Sequence, residues 1–272
     1  MNKSSRLGAL IYHDVTDSPA ASGFPGGDAD RYKLSLSLYR AHLDEIASTR
    51  RPVLAPRSLS DSLPRDAVIL TFDDGGESAH SAIAPLLEAR GWRGIFFIVT
   101  DRVGQDGFLS RKQIEDLHRR GHVIGSHSHT HPVRFSALPD ARLDDEWNRS
   151  REILESITGA PVLTASVPGG YYSLRVARAA ERAGYQILYN SEPRSRPSTI
   201  GNLRVVGRFG IQRDTTAREA GALAAGRGLA RLKQSLIWNA KKPLKAIGGP
   251  LWIAFRKWAL NRGPDAPSDR AR

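Results

Sequence analysis

The chain has 272 residues, 40% of them apolar, which is enough for one large α/β domain or two small ones. It contains no cysteine, so structural disulfides and thiolate zinc sites are excluded and any metal must bind His, Asp or Glu. The formal net charge is +12, but residues 227–272 hold eleven Lys or Arg and two Asp, which leaves only +3 for the first 226 residues. This uneven charge predicts an anionic partner for the C-terminal part of the chain.

The first predicted element is a strand over residues 7–12, which ends at His13 and Asp14. This apolar run is too short for a signal peptide, and no run of about 18 apolar residues predicts a membrane-spanning helix. We therefore expect a cytoplasmic protein. A loop rich in Gly, Pro, Ser and Asp over residues 16–30 and a helix over residues 38–48 follow.

From residue 67 onwards, predicted strands and helices alternate, which is typical of parallel βαβ units. The expected strands cover residues 67–70, 94–99, 122–125, 162–167, 185–189 and 205–206. The expected helices cover residues 77–90, 111–120, 140–157 and 173–183, the second of them with Ser110 as its N-cap. Polar residues that could act in catalysis or bind a metal follow several of the strands. In α/β folds of this kind the active site lies at these strand ends.

Two adjacent carboxylates, Asp73 and Asp74, follow the predicted strand over residues 67–70. A regular strand would point them to opposite faces, but Gly75 and Gly76 allow the backbone to turn both towards one centre. Two close carboxylates repel each other unless a cation or a proton intervenes. The pair is interpreted either as a metal ligand beside a general base or as a solvated turn that closes the strand.

Four of the eight histidines lie between residues 122 and 131. His127 and His131 are four residues apart, so in one helical turn both rings would share a face. Two histidines and one carboxylate, with open positions for water, suit zinc or another divalent ion. Together with the aspartate pair, the cluster predicts a metal site. His129 is interpreted as lying behind the ligands or facing solvent, and His122 as packing or facing solvent.

Thr-Phe-Asp-Asp-Gly at residues 71–75 and His-Ser-x-x-His-Pro at residues 127–132 resemble motifs of the polysaccharide deacetylases, a carbohydrate esterase family that includes chitin and peptidoglycan N-deacetylases. The resemblance covers about residues 68–189 and implies a distorted (β/α) barrel that removes N-acetyl groups from sugars. It implies Asp73 as the general base and Asp74, His127 and His131 as ligands of zinc, with cobalt or nickel as alternatives. Ser128 would hold the histidine loop in shape.

The third motif of this family, of the Arg-x-Pro-Tyr-Gly type, corresponds to Ser-Val-Pro-Gly-Gly at residues 166–170. In the family the arginine orients the catalytic aspartate, so Ser166 in its place leaves the support of Asp73 unassigned. The resemblance makes the backbone N–H of Gly169 the oxyanion donor. Without the resemblance, these residues also fit a plain Pro-Gly turn.

The family's general acid is a histidine near the C-terminus, but this chain has no histidine after His131. Leu-Ile-Tyr-His-Asp at residues 10–14 resembles the Tyr-His-Asp segment of the poly-N-acetylglucosamine deacetylases of exopolysaccharide systems, in which the motif order is circularly permuted. The resemblance makes His13 the candidate general acid, whereas alone it would be interpreted as a buried or capping histidine. Asp14 is interpreted as structural or as holding the loop.

From residue 227 the pattern changes, and tryptophans alternate with Lys and Arg. Within residues 251–260, Leu251, Phe255 and Trp258 share one face of a predicted helix. A basic amphipathic helix with boundary tryptophans suits an anionic membrane surface. For the part before Pro243, packing against the barrel is an equal alternative. Nucleic acid is disfavoured because no binding motif accompanies the charge, and residues 263–272 are expected to be disordered.

These observations predict a catalytic domain over residues 1–224 and a basic, tryptophan-containing amphipathic tail over residues 225–272. The predicted function is metal-dependent removal of the N-acetyl group from an amino sugar in a polysaccharide or lipid-linked glycan precursor, in the cytoplasm and peripherally on the inner membrane face. Two alternatives stay open: a deformylase or amidase acting on another acyl-amino sugar, and a non-catalytic, metal-containing carbohydrate-binding protein. The oligomeric state is not predicted.

Overall fold

The computed structural model describes residues 7–61, 63–64 and 66–247, the last seven of these through the backbone alone. Ten strands in these residues form one sheet. The strands are β1 Gly8–Tyr12, β2 Val53–Leu54, β3 Val68–Phe72, β4 Ile95–Ile98, β5 Val123–Ser126, β6 Thr164–Ser166, β7 Ile187–Asn190, β8 Ser198–Ile200, β9 Leu203–Gly207 and β10 Phe209–Gly210.

Helices connect most of these strands. The α-helices of the described residues are α1 Gly27–Asp30, α2 Leu36–Ser48, α3 Ala84–Glu88, α4 Arg111–Arg119, α5 Asp140–Thr158, α6 Leu174–Arg182, α7 Ala217–Ala225 and α8 Ala230–Ile247. Short 3-10 turns cover Pro19–Ala21, Thr100–Arg102, Phe135–Ala137 and Pro168–Gly170, and a π-helical turn covers Ala79–Ile83.

The sheet curls into a distorted barrel. Its strands follow the order β10-β1-β3-β4-β5-β6-β7-β9-β8, with β2 paired to β3, and only β8 runs antiparallel to its neighbour. In this strand order β10 is the first strand and β9 is the last but one. In the sequence, however, only Arg208 separates β9 from β10. The bend at Arg208 therefore brings the two ends of this order together and closes the barrel.

Two apolar clusters lie on the two faces of the sheet. Strands β1, β3, β4 and β5 are buried along their whole length, as expected for parallel strands covered on both faces. Alternate residues such as Ile69, Phe97 and Tyr189 form the smaller cluster, which fills the barrel interior. Residues of the other register, such as Phe72, pack with Trp147 and the helices in the larger cluster.

The α/β barrel predicted by the sequence is confirmed, with local differences. The helix expected over residues 77–90 is shorter and begins as the π-helical turn, where Pro85 has no N–H to donate to a carbonyl one turn before. The helix after Ser110 has the expected N-cap, reinforced by Gln113 in a capping box. Strands β8 and β10 were missed because they have only three and two residues.

Past α7 the chain forms α8, and one face of α8 packs against the barrel. The Gln234 amide bonds both the N–H and the C=O of Gly210 on the edge strand β10. The alternative of packing is thus confirmed for this face of the tail before Pro243. The expectations for residues 251–260 and 263–272 lie outside the described residues. Within the described residues, none of the helices is both long and apolar enough to cross a membrane.

Candidate metal and catalytic site

Asp73 and Asp74 lie together at the carboxyl end of β3. Asp73 continues the register of Ile69 and Thr71, so it points to the barrel interior. Asp74 has φ of 76° and Gly75 has φ of 80°, a left-handed turn that Asp tolerates and Gly favours. A Cβ on Gly75 would lie 3.2 Å from the Ile98 side chain, so the turn also needs glycine for space. This backbone turns Asp74 towards the side that Asp73 faces.

Asp74 meets His127 and His131 in one cluster. Its Oδ1 lies 3.5 Å from Nε2 of His127 and 3.8 Å from Nε2 of His131. One potential ligand atom from each of the three residues lies within 4.8 Å of the other two. Burial lowers the pKa of His131 and lowers the pKa of His127 to about 3, which favours the unprotonated imidazole that binds a metal. The structure therefore brings together the three residues predicted as metal ligands.

The loop that carries the two histidines is not helical, so the shared helical face expected from their spacing is wrong. Ser128 and His131 have φ of 67° and 54°, in the left-handed region, and the segment is a series of bends. Ser128 Oγ accepts a hydrogen bond from the N–H of His131 at 3.1 Å. This bond gives Ser128 the loop-shaping contact that the family resemblance implies.

Glu146 of α5 holds the same loop and was not predicted from the sequence. It is fully buried, and its Oε2 accepts the N–H groups of His129 and Thr130 at 2.9 and 2.8 Å. His129 is buried and does not face solvent. Its Nδ1 lies 2.9 Å from Thr100 Oγ1. The position of Glu146 three residues after Leu143 on the buried face of α5 was the signal that could have identified it.

Ser166 fixes the orientation of His127. Nδ1 of His127 lies 3.1 Å from the carbonyl oxygen of Ser166, which can only accept, so Nδ1 carries the proton. The lone pair on Nε2 then faces the cluster, as a metal ligand requires. Ser166 Oγ lies 2.6 Å from the same Nδ1 and donates to Oδ1 of Asp73 at 3.3 Å. Ser166 thus links the predicted ligand to the predicted base.

Arg208 supplies the guanidinium that the third motif lacks. Its Nη1 and Nη2 donate to the two oxygens of Asp73 at 2.7 and 2.8 Å. Nη1 also donates to Thr71 Oγ1 at 2.9 Å, and Nε donates to the Asn190 carbonyl at 3.2 Å. Arg208 is fully buried. Arg208 was not predicted from the sequence, although its position close to the β-forming residues Val205, Val206 and Phe209 was an available signal.

The two aspartates have pKa values pushed in opposite directions. Burial raises the pKa of Asp73, but the charge of Arg208, followed by His127, outweighs burial and holds that pKa well below its usual range. Burial raises the pKa of Asp74 to about 7, with repulsion from Asp73 adding to the shift and the charge of His13 opposing it. Asp73 is therefore ionised at neutral pH, whereas the charge on Asp74 calls for a cation.

His13 and Asp14 follow β1 at the same end of the barrel. The His13 ring stacks on Tyr32 with centroids 4.6 Å apart, and among the described residues its buried Nδ1 has no hydrogen-bond partner. His13 and Asp73 directly follow Tyr12 and Phe72, which pair in adjacent parallel strands, so the predicted acid and the predicted base lie at the same end of neighbouring strands. Asp14 is structural, because its Oδ1 accepts from Ser22 and Ser78 in neighbouring loops at 2.5 and 2.8 Å.

Gly169 lies in the Pro168–Gly170 turn directly after β6. Its φ of 58° is left-handed, which favours glycine. Phe24 lies at another wall of the site, with its ring centroid 5.3 Å from that of His131. Around the cluster the barrel thus places a backbone turn on one side and an aromatic loop residue on another.

Comparisons with known proteins agree with this arrangement. Residues 60–188 match the family model described as polysaccharide deacetylase. The Bacillus subtilis protein YxkH is 23% identical over 197 residues, which are 70% of this chain and 66% of that protein. The peptidoglycan-N-acetylglucosamine deacetylase of Bacillus cereus is 28% identical over 131 residues, 47% of this chain and 59% of that protein. The chain therefore spans about two thirds or less of the length of these curated relatives.

A solved structure shows the same fold. IcaB from Ammonifex degensii superposes with a TM-score of 0.66 at 21% identity, over 80% of this chain and 97% of that chain. The aligned length means that the similarity includes nearly the whole of that IcaB chain.

Proposed function

Since residues 60–188 match the polysaccharide deacetylase family model, we propose that the chain is a metal-dependent hydrolase of this family that removes the N-acetyl group from an amino sugar in a polysaccharide or lipid-linked glycan precursor. The observation that carries the proposal is the placement of an ionised carboxylate, Asp73, beside a potential metal site formed by Asp74, His127 and His131. A base next to a cation is the arrangement that hydrolysis of an unactivated amide needs.

The donor set fits a divalent cation. Two imidazoles and one carboxylate are ligands that zinc, cobalt and nickel accept. His127 presents its unprotonated Nε2, and a cation would compensate the buried charge of Asp74, whose pKa is raised to about 7. A divalent cation at this site would supply Lewis acidity, which would lower the pKa of water from about 15.7 towards about 7 and polarise the acetamide carbonyl.

Asp73 accepts the proton of the attacking water. Arg208 keeps this carboxylate ionised and, with Ser166, fixes the orientation of its oxygens. The Gly169 N–H donates to the oxygen that gains negative charge as the carbonyl carbon becomes tetrahedral. Loss of one such donor commonly raises the barrier by about 3–4 kcal/mol.

His13 gives a proton to the sugar nitrogen as the carbon–nitrogen bond breaks. The products are acetate and the ammonium form of the amino sugar. The proton that Asp73 takes up offsets the one that His13 gives, so the proton count closes without a further reactant. Without an acid the nitrogen would have to leave as an anion, which is unfavourable at neutral pH. The strand register, which pairs Tyr12 with Phe72 and so sets His13 and Asp73 at the ends of adjacent strands, supports this role, and the permuted motif order is part of the same proposal.

The test is product analysis with zinc-loaded protein and two matched substrates, N-acetyl- and N-formyl-glucosamine oligomers. The proposal expects acetate release from the first at a higher kcat/KM than formate release from the second. Formate release with the higher kcat/KM would favour a deformylase. Saturable binding of the oligomers with neither product released would favour the carbohydrate-binding alternative.

The same proposal includes a cytoplasmic location and an anionic membrane surface as partner. The basic charge of the chain after residue 226 supports it, because such charge is attracted to the anionic lipids of the cytoplasmic leaflet.

A further inference from the structure

Exposed apolar side chains line the outer face of α8. Leu229, Leu232, Leu236 and Ile237 are 75%, 54%, 61% and 43% exposed. The first three are spaced by three and four residues, so they follow one side of the helix and the turn before it. Single exposed apolar residues are ordinary, whereas a contiguous row marks an interaction surface. We call these four residues the outer stripe.

The opposite face of α8 fixes the rotation of the helix. Arg231 donates to the carbonyls of Leu223 and Ala224 at the end of α7, at 2.7 and 3.0 Å. Ser235 Oγ donates to the Pro193 carbonyl at 2.9 Å, and Gln234 bonds Gly210 as described above. With these contacts made, the helix cannot rotate the outer stripe into the barrel.

The charged residues of the segment that carries the outer stripe all have one sign. Residues 227–247 contain six Lys or Arg and no Asp or Glu. Arg227, just before the outer stripe, and Lys233, between two of its leucines, are both exposed. An apolar face bordered by basic side chains is what binds a helix to the surface of an anionic bilayer. A polar protein partner would leave the leucines unmatched, whereas lipid satisfies both the leucines and the cations.

The helix points towards the catalytic end of the barrel. A Cβ on Gly8, at the start of β1, would lie 2.7 Å from the Arg231 guanidinium, so α8 begins near the amino ends of the strands. About two helical turns after Arg231, Trp238 approaches the turn that contains Gly169 and Gly170. A Cβ on Gly170 would lie 3.1 Å from Trp238 Cη2. The helix continues to Ile247, a further distance of about 14 Å at 1.5 Å per residue.

We propose that the outer stripe of α8 docks on an anionic bilayer and that the substrate is an N-acetylated amino sugar carried on a lipid. Docking through α8 brings the catalytic end of the barrel next to the headgroup layer, where the sugar of such a lipid lies. The substrate class rests on the proposed deacetylase function, whereas the docking surface does not.

The first test measures partition of the full chain onto vesicles of phosphatidylcholine and of phosphatidylcholine with phosphatidylglycerol. The wild type is expected to bind the anionic vesicles and to bind less at high salt. Leu232→Asn with Leu236→Asn is expected to lower binding about tenfold, because two apolar side chains no longer enter the interface. Leu174→Asn, at a site 52% exposed on α6, is the matched control and should bind like the wild type.

The second test measures acetate release by the same zinc-loaded proteins. The double variant should match the wild type on soluble N-acetylglucosamine oligomers, yet release acetate about tenfold more slowly from a lipid with an N-acetylglucosamine headgroup in anionic vesicles. No vesicle binding by the wild type, or equal binding by the double variant, overturns the docking surface. If the wild type is a dimer and the double variant is a monomer, the outer stripe binds a second copy of the chain, and the bilayer docking surface is overturned. Vesicle binding with no acetate from either substrate overturns the proposed function and leaves the docking surface standing.

Discussion

Arg208 sets the state of the predicted base. It is fully buried and donates hydrogen bonds to both carboxylate oxygens of Asp73, a residue that is only 5% exposed. A guanidinium with two parallel hydrogen bonds fixes both the charge and the plane of a carboxylate. This contact explains how Ser166 can replace the arginine of the third motif without leaving Asp73 unsupported. The chemical group is the same, but it comes from the residue between β9 and β10 and not from the third motif.

Replacing Arg208 with lysine should impair the base. One ammonium cannot match both carboxylate oxygens, so we expect kcat/KM for acetate release to fall about a hundredfold through misplacement of Asp73. Because the guanidinium lowers the pKa of Asp73, its loss should raise that pKa and shift the acidic limb of the pH–rate profile to higher pH. Arg204→Lys, on the preceding strand β9, is the control. An unchanged rate and an unchanged acidic limb in Arg208→Lys would contradict the assignment.

Replacing His13 with alanine should separate chemistry from metal binding. His13 is outside the three-residue cluster, so His13→Ala should bind zinc as the wild type does. Loss of a general acid should lower kcat about 10²–10⁴-fold. Zinc stoichiometry and acetate release are measured on the same samples, with His80→Ala as the control because His80 pairs with Asp116 outside the cluster. Full activity in His13→Ala would remove His13 from the mechanism.

Among the elements, α5 has a second role besides covering the sheet. Its buried Glu146 accepts two backbone N–H groups of the loop between His127 and His131. A buried carboxylate is costly unless such donors surround it. The loop therefore obtains its shape from a helix that carries none of the predicted ligands.

Removing this support should weaken metal binding. Glu146→Ala leaves two buried N–H groups without acceptors, so we expect about tenfold weaker zinc affinity and a free energy of unfolding lower by about 1–3 kcal/mol. Glu146→Gln should recover most of the affinity, since its oxygen can take the place of Oε2. Zinc titration with a competing chelator measures the affinity, and Glu152→Ala on the exposed face of α5 is the control. Equal affinity in all four proteins would show that the loop holds its shape without Glu146.

For the whole molecule, α8 completes the barrel edge. Gln234 pairs with the backbone of β10, and Arg231 satisfies carbonyls at the end of α7. A chain that ends at Gly226 should therefore melt about 5 °C or more below the full chain, given about 2–4 °C per kcal/mol at this size. A chain that ends at Ile247 keeps these contacts and is the control. Equal melting of the two shortened chains would contradict a structural role for α8.

The parts that the sequence predicted well depend on neighbours in the chain. Buried apolar runs marked β3, β4 and β5, and Asp74, His127 and His131 directly follow such strands. Parallel strands align their carboxyl ends, so these residues meet once the sheet forms. The catalytic roles of Asp73, His13 and Gly169 and the division of the chain near residue 224 stay predictions.

What the sequence did not reveal depends on distant partners. Arg208 lies 135 positions from Asp73, and it reaches that residue only because β9 and β10 close the barrel. Glu146 lies within a helix whose charged residues are mostly exposed, so its burial depends on the loop that docks above it. Local periodicity can mark Glu146 and Arg208 as buried, but it does not identify the residues that they contact.

The most direct test combines metal content with acetate release. Protein stripped of metal and reloaded with zinc, cobalt or nickel is assayed on N-acetylglucosamine oligomers beside Asp73→Asn. The account predicts that stripping abolishes release, that reloading restores it, and that Asp73→Asn binds zinc stoichiometrically but releases no acetate. Release by stripped protein, or release by Asp73→Asn at the wild-type rate, would contradict a metal-dependent mechanism in which Asp73 is the base.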